Sequence, residues 1–301
     1  MIRRFLTRLT YPLTIALALS CVAATKSKTP QVRRATAVAG EADVSIAYQT
    51  NDFGSSLNAP RTRAAAVLVQ DARTGEILYE KNADARRAAA STQKLLTALI
   101  VAEVGYLDRP VVVKTVDTQA DPVRLNIKAG ETYQRIELLR ALLVKSPNDV
   151  ARCLARDNAG SIALFAEKMN AKARSLGATH SNFVNPNGLP IPDQYSTARD
   201  LAIIARAAYA NDTIRSIVCL PKLVFRYASG RTRELTNTNK VLKQLPYCNG
   251  MKTGYTEAAG HCLIASGNIP GRDVIVVVLG DSKAGVWRDA SALLSWGLRR
   301  M

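Results

Sequence analysis

Histidine is scarce in this chain of 301 residues: His180 and His261 are the only two. There is no HExxH pairing and no histidine-rich cluster, which excludes a zincin and a histidine-rich metal centre. Aromatic residues make up only 6%, too few for a stacking platform that holds single-stranded nucleic acid. No cysteines stand at CxxC spacing, so a zinc knuckle or dithiol redox centre is not expected. Acidic residues are outnumbered, 24 against 41 basic ones, leaving a net charge of +17. Such a field favours anionic partners without choosing among nucleic acid, anionic lipid and anionic wall polymer.

The N-terminus narrows that choice. Arg3, Arg4 and Arg8 precede the short apolar stretch "YPLTIALALSCVAA". A charged start, a short apolar run and small residues form the pattern of a signal peptide, here residues 1–24. The run falls short of the roughly 20 residues of a membrane span; an uncleaved anchor is the alternative. Cys21 in "LALSC" is a loose lipidation site. Export places the chain at the cell-envelope exterior or in the periplasm, away from nucleic acid. Four cysteines follow the leader: Cys153, Cys219, Cys248 and Cys262. Export permits disulfides, but buried free thiols are an equal reading.

Residues 25–61 are basic, small and turn-rich and read as a low-order tether, with the catalytic domain spanning 62–301. "AAAVLVQD" and "GEILYEK" read as strands around a turn at 72–75. "STQKLLTALIVAEVG" reads as a helix from Ser91 to Gly105. Short β pieces follow over 111–134, then four helical runs from "IELLRALLVK" to "TARDLAIIARAAYA". "KLVFRYA", "NGMKTGY", "HCLIASG" and "DVIVVVLG" are extended, and "GVWRDASALLSWGLRR" closes as a helix. Strands at both ends with helices between predict one α/β domain. Its antiparallel sheet would be flanked by helices, with a helical lobe beside it and a site at the seam.

Three short motifs carry chemistry. Ser91 and Lys94 form S-x-x-K, which places both side chains on one helix face. A serine hydroxyl needs a base, and a lysine serves once burial or a second cation lowers its pKa. Ser146 and Asn148 form S-x-N in the turn between two helical runs; the plain structural reading of Ser146 is an N-cap. Copies at Ser56–Asn58 and Ser266–Asn268 fall in the tether and at a strand end. Lys252, Thr253 and Gly254 form K-T-G at the end of an extended run. There a cation and a hydroxyl suit a carboxylate, and glycine lets backbone approach.

The ordered trio at 91, 146 and 252 is the pattern of serine β-lactamases and penicillin-binding proteins. Across about residues 62–299 the chain resembles the D-alanyl-D-alanine carboxypeptidases, low-molecular-mass penicillin-binding proteins of the β-lactamase/transpeptidase-like fold. "STQKLLTAL", "LLRALLVKSPNDVARCLA", "MNAKARSLGATHSNFVNPNGLP" and "NGMKTGYTEAAGHCLIAS" carry the resemblance. It implies removal of the terminal D-Ala from peptidoglycan stem pentapeptides, inhibition by β-lactams and no cofactor or metal. Ser91 would be the acylated nucleophile, Lys94 its base and Ser146 a proton relay. Asn148, Lys252, Thr253 and Gly254 would bind substrate. The backbone N–H groups of Ser91 and Tyr255 would form the oxyanion hole.

The chain departs from the family in two ways. Pro147 stands where small residues or Val are usual. The sequence also stops after "WGLRRM", so the β-rich C-terminal domain and amphipathic anchor of many members are not expected. Four rivals remain: a DD-endopeptidase using the same set, a β-lactamase, a non-catalytic wall-binding module and a basic nucleic-acid binder. For the β-lactamase, the segment before 200 offers only Asp193 and Asp200 as a second base.

Overall fold

The computed structural model describes residues 58–120 and 122–300. The leader, Cys21 and the tether up to residue 57 lie outside the described residues. The chain runs β1 (Ala66–Asp71), β2 (Ile77–Lys81), a 3-10 turn (Ala90–Gln93), α1 (Lys94–Glu103), β3 (Pro110–Val112), α2 (Thr115–Thr118) and β4 (Thr132–Gln134). Helices α3 (Arg135–Lys145), α4 (Asn148–Ala159), α5 (Ile162–Ser175), α6 (Ala198–Ala210) and α7 (Asp212–Val218) follow. Then come β5 (Lys222–Arg226), β6 (Thr232–Thr236), α8 (Val241–Gln244), β7 (Cys248–Thr256), β8 (Gly260–Ile269), β9 (Arg272–Asp281) and α9 (Gly285–Arg299).

One antiparallel sheet has the order β2-β1-β9-β8-β7. The N-terminal hairpin therefore joins the three C-terminal strands, and β7 is left at an edge. Side chains alternate across the sheet. Val67, Val69, Leu263, Val274, Val276 and Val278 pack on the α9 side with Leu293 and Leu294. Leu68, Ile264, Ile275, Val277 and Leu279 face the helical lobe. Both faces are covered, which is why "DVIVVVLG" is continuously apolar rather than alternating.

Helix α1 runs through the lobe, and Lys94 to Val101 are all buried. A helix apolar on every side needs neighbours on every side; α3, α4, α5, α6 and α7 supply them. At about 1.5–3 kcal/mol per fully buried Leu or Ile, this packing offsets the burial of Lys94 on its first turn.

Several local expectations need correction. Ser91 lies on the 3-10 turn before α1 rather than on the helix. Ser146 is no N-cap: it closes α3 in the left-handed conformation at φ 66°, and Pro147 takes the N-cap position of α4. "KLVFRYA" does not join the main sheet, because β5 pairs only with β6 as a separate hairpin. Within 111–134, β3 and β4 pair with one another, with α2 between them. All four described cysteines are free, Cys219 exposed and the others buried. The chain around the expected tether boundary also touches the fold. Ala59 packs against the α9-side core, and Thr62 Oγ1 and Arg63 N donate to Asp289 Oδ2 at 2.6 and 2.8 Å.

Candidate active site

The three motifs meet at one cleft of about 490 Å³ between the lobe and β7. Ser91, Ser146, Asn148, Thr253, Gly254 and Tyr255 all line it. Lys94 and Lys252 lie just beneath, at 0% and 1% exposure.

Lys94 organises the site. Its Nζ is 2.7 Å from Ser91 Oγ, 2.8 Å from Asn148 Oδ1 and 2.6 Å from the Asn187 carbonyl oxygen. Both amide oxygens are pure acceptors. A neutral amine has two N–H groups and one lone pair. The two carbonyls take the N–H groups, which leaves the lone pair to accept the Ser91 O–H. Lys94 is pushed well below its ordinary pKa by burial first and by the nearby Lys252 cation second, with Asp149 opposing. Among the described residues no other side chain hydrogen-bonds the Ser91 hydroxyl; with Lys94 neutral, the Asn187 carbonyl 3.3 Å away is the alternative acceptor for its single proton.

Two features stand outside the motif reading. The segment 185–187 presents three successive carbonyls to the nucleophile turn and α1. Gln93 Nε2 donates to Asn185, Thr97 Oγ1 to Pro186 and Lys94 Nζ to Asn187, at 2.6–2.7 Å. Gly188 makes this approach possible. It sits at φ +84°, and a Cβ there would stand 2.0 Å from the Ala90 carbonyl oxygen. The second feature is Asp149, fully buried beside Asn148. Its carboxylate accepts from the backbone N–H of Leu125, Asn126 and Ile127 at 2.8–3.4 Å. It thereby anchors the loop whose Pro122 and Val123 wall the cleft. Of the two, only "NFVNPNGLP" left a trace in the sequence, as family signature.

On the sheet side, Lys252 is lowered to about 7 by burial. Its Nζ donates to the Thr253 carbonyl at 3.0 Å. Thr253 Oγ1 donates to Thr238 Oγ1 at 2.7 Å, which orients the hydroxyl at the cleft wall. Gly254 has a packing reason as well as the expected one. A Cβ there would lie 2.9 Å from Ser91 N and 3.0 Å from Ala90 Cβ and Thr92 N. Glycine thus lets β7 press against the nucleophile turn and brings the backbone of 254–255 beside Ser91. Ser146 Oγ is buried at the cleft without a hydrogen-bond partner among the described residues. A hydroxyl held unpaired in a left-handed turn is ready to bond an incoming group.

Other reactive groups nearby are inactive. Burial pushes the Cys262 thiol up to about 11, so it is protonated and a poor nucleophile. Asp200 is buried at the start of α6, where it accepts from His180 N and Ser181 Oγ. Asp193 is exposed, and neither aspartate lines the cleft. Among the described residues no group of three His, Cys, Asp or Glu stands where it would hold a metal ion.

Comparison with known proteins agrees with this geometry. The family model for D-alanyl-D-alanine carboxypeptidase, Peptidase_S11, matches residues 54–283. The D-alanyl-D-alanine carboxypeptidase DacB2 of Mycobacterium tuberculosis is 35% identical over 248 residues, 80% of this chain and 84% of the relative. A D-alanyl-D-alanine endopeptidase of Escherichia coli is 30% identical over 242 residues, 79% and 78% of the two chains. The crystal structure of a D-alanyl-D-alanine carboxypeptidase from Mycobacterium tuberculosis H37Rv superposes with TM-score 0.76 at 34% identity. The superposition covers 80% of this chain and 93% of that one. A buried lysine on a serine hydroxyl, a second buried lysine across the cleft and these matches agree: the chain belongs to the D-alanyl-D-alanine carboxypeptidase family of peptidases, cell-wall hydrolases related to the penicillin-binding proteins.

Proposed function

We propose that the protein is a serine-type D-Ala-D-Ala carboxypeptidase that removes the terminal D-Ala of peptidoglycan stem pentapeptides. The observation that carries this is the three-way setting of Lys94 Nζ, 2.7 Å from Ser91 Oγ and held by two carbonyl acceptors, so that as a neutral amine it can take the Ser91 proton.

The substrate enters along the free edge of β7. Its C-terminal carboxylate pairs with Lys252 and the Thr253 hydroxyl, and Asn148 holds its backbone through the side-chain amide. Ser91 Oγ passes its proton to Lys94 Nζ and attacks the carbonyl carbon of the penultimate D-Ala. The new oxyanion is held by the N–H groups of Ser91 and Tyr255, a stabilisation of about 3–4 kcal/mol per donor in comparable sites. The proton then returns from Lys94 through Ser146 to the amine of the departing D-Ala. Water hydrolyses the ester, with Lys94 again accepting a proton. A β-lactam presents the same carboxylate and a strained amide, so it acylates Ser91 as well.

The work is done outside the cytoplasmic membrane, where the substrate lies; the leader-like pattern of residues 1–24 supports this. The +17 charge suits retention near anionic wall polymers; retention on isolated sacculi that ignored ionic strength would count against this.

The test is a muropeptide digest of pentapeptide monomers and cross-linked dimers, read by mass spectrometry with Ser91→Ala as control. Loss of one D-Ala, absent in the control, is expected. A second reading, DD-endopeptidase, is favoured by the 30% identical relative of that name. Dimers splitting into monomers would move the assignment there. No change in either substrate would leave a non-catalytic wall-binding protein.

A further inference from the structure

Beyond Tyr255 the cleft continues along the β7–β8 hairpin. There Glu257 opens the turn after β7, lines the cleft and is exposed. It makes no hydrogen bond or ion pair with any described residue. A lone carboxylate at the cleft of a chain with net charge +17 is a specific feature. The other unpaired charge of the lining, Lys145, is half-buried at the end of α3 on the lobe side. The cleft thus has an anion on its sheet side and a cation on its lobe side.

Strand geometry says what meets the anion. In the carboxypeptidase reading, on which this inference rests, the substrate carboxylate lies at Thr253 and the scissile carbonyl at the Tyr255 N–H. A peptide extended along the β7 edge advances about 3.4 Å per residue. The residue upstream of the scissile D-Ala therefore stands beside Thr256 and Glu257. An exposed carboxylate at that position selects a side chain that ends in a cation, such as a methylene stem bearing a primary amine. The wall beside it suits the stem. The Tyr255 ring stacks on His261, with centroids 4.3 Å apart and planes at 28°, yet stays 59% exposed. Methylenes cover such a ring while the ammonium reaches the polar end.

We propose that Glu257 is a specificity-determining residue that pairs with the side-chain ammonium of the third stem residue, with Tyr255 as platform for its methylenes. Substrates with a free amine there are preferred over those whose amine is acylated. An exposed charge pair in a cleft sets the size of the preference, about two- to fivefold in kcat/KM. The preference shrinks as ionic strength rises.

The test compares Nα-acetyl-L-Lys-D-Ala-D-Ala with Nα,Nε-diacetyl-L-Lys-D-Ala-D-Ala on the wild type, Glu257→Gln and Glu257→Lys. The ratio of kcat/KM, free amine over acetylated, is expected to be about two to five in the wild type. It is expected to be near one in Glu257→Gln and below one in Glu257→Lys. A wild-type ratio of one, or a ratio unchanged by both substitutions, overturns the assignment while D-Ala release from either peptide keeps the carboxypeptidase reading. Release from neither peptide by the wild type overturns both.

Discussion

Lys94 Nζ donates to Asn148 Oδ1 at 2.8 Å, and this bond ties the start of α1 to the start of α4 and bears on the protonation state of the lysine. An amide oxygen accepts without carrying a full charge, so it orients the amine while favouring the ammonium far less than a carboxylate does. Asn148→Asp puts a carboxylate in the same place. An opposite charge at such range raises a lysine pKa by about 1–3 units. The acid limb of the pH profile for acylation is expected to move up by that amount, with a rate loss of about 10- to 1000-fold at a pH below both limbs. The stopped-flow rate of acylation by a chromogenic cephalosporin between pH 5 and 10 reads this directly. A limb that stays in place would show that Lys94 is not the titrating base.

Lys252 gives a proton-linked binding prediction. Burial holds it near 7 in the free enzyme, and a carboxylate partner favours its charged form. At pH 8.5 the free enzyme is mostly neutral there, so binding a peptide carboxylate takes up a proton. Calorimetry of a non-hydrolysed carboxylate ligand to Ser91→Ala, in buffers of different ionisation enthalpy, is expected to show uptake approaching one proton. Lys252→Met is expected to take up none at this site.

The same shift has a sign in stability. The unfolded lysine titrates near 10.4 and the folded one near 7, so between these values the unfolded chain binds more protons. Stability from this group therefore rises with pH across that window. The penalty is complete below about 7 and gone above the unfolded value. Urea unfolding of the wild type against Lys252→Met is expected to show the wild type gaining ground from pH 7 to 10. A difference that is flat in pH would contradict a neutral, buried Lys252.

Gly188 tests the carbonyl platform. At φ +84°, with a Cβ 2.0 Å from the Ala90 carbonyl oxygen, alanine has neither the conformation nor the space. Gly188→Ala is expected to lose about 1–3 kcal/mol of stability and to slow acylation, because the Asn187 carbonyl is drawn off Lys94. Denaturant midpoints and the acylation rate measure the two effects. Unchanged acylation in a folded variant would mean that the Asn187 carbonyl does not set the base.

The sheet, the lobe and the three motifs were legible because they depend on local pattern. Apolar runs in β8 and β9, helical spacing in α3 to α6 and hydroxyl–lysine spacing at 91–94 each leave a mark within a few residues. What was missed depends on contact across the chain. The Asn187 carbonyl meets Lys94 over a separation of 93 residues, and a main-chain oxygen has no residue identity to read. Asp149 belongs to none of the three motifs, yet it anchors residues 125–127. The plain structural alternative for Ser146, an N-cap, rested on residue type. Pro147 holds that position itself, at φ −68° and ψ 139°, and Ser146 before it ends α3 in the left-handed conformation. Strand β6, "TRELT", is mostly exposed and lacks the apolar alternation that marks a strand.

The central claim is that Ser91 is the acylated nucleophile. Its most direct test is mass spectrometry of the intact protein and its proteolytic peptides after incubation with benzylpenicillin. The account predicts one penicilloyl adduct per chain, on Ser91, abolished in Ser91→Ala. An adduct on any other residue, or none in the wild type, would contradict it.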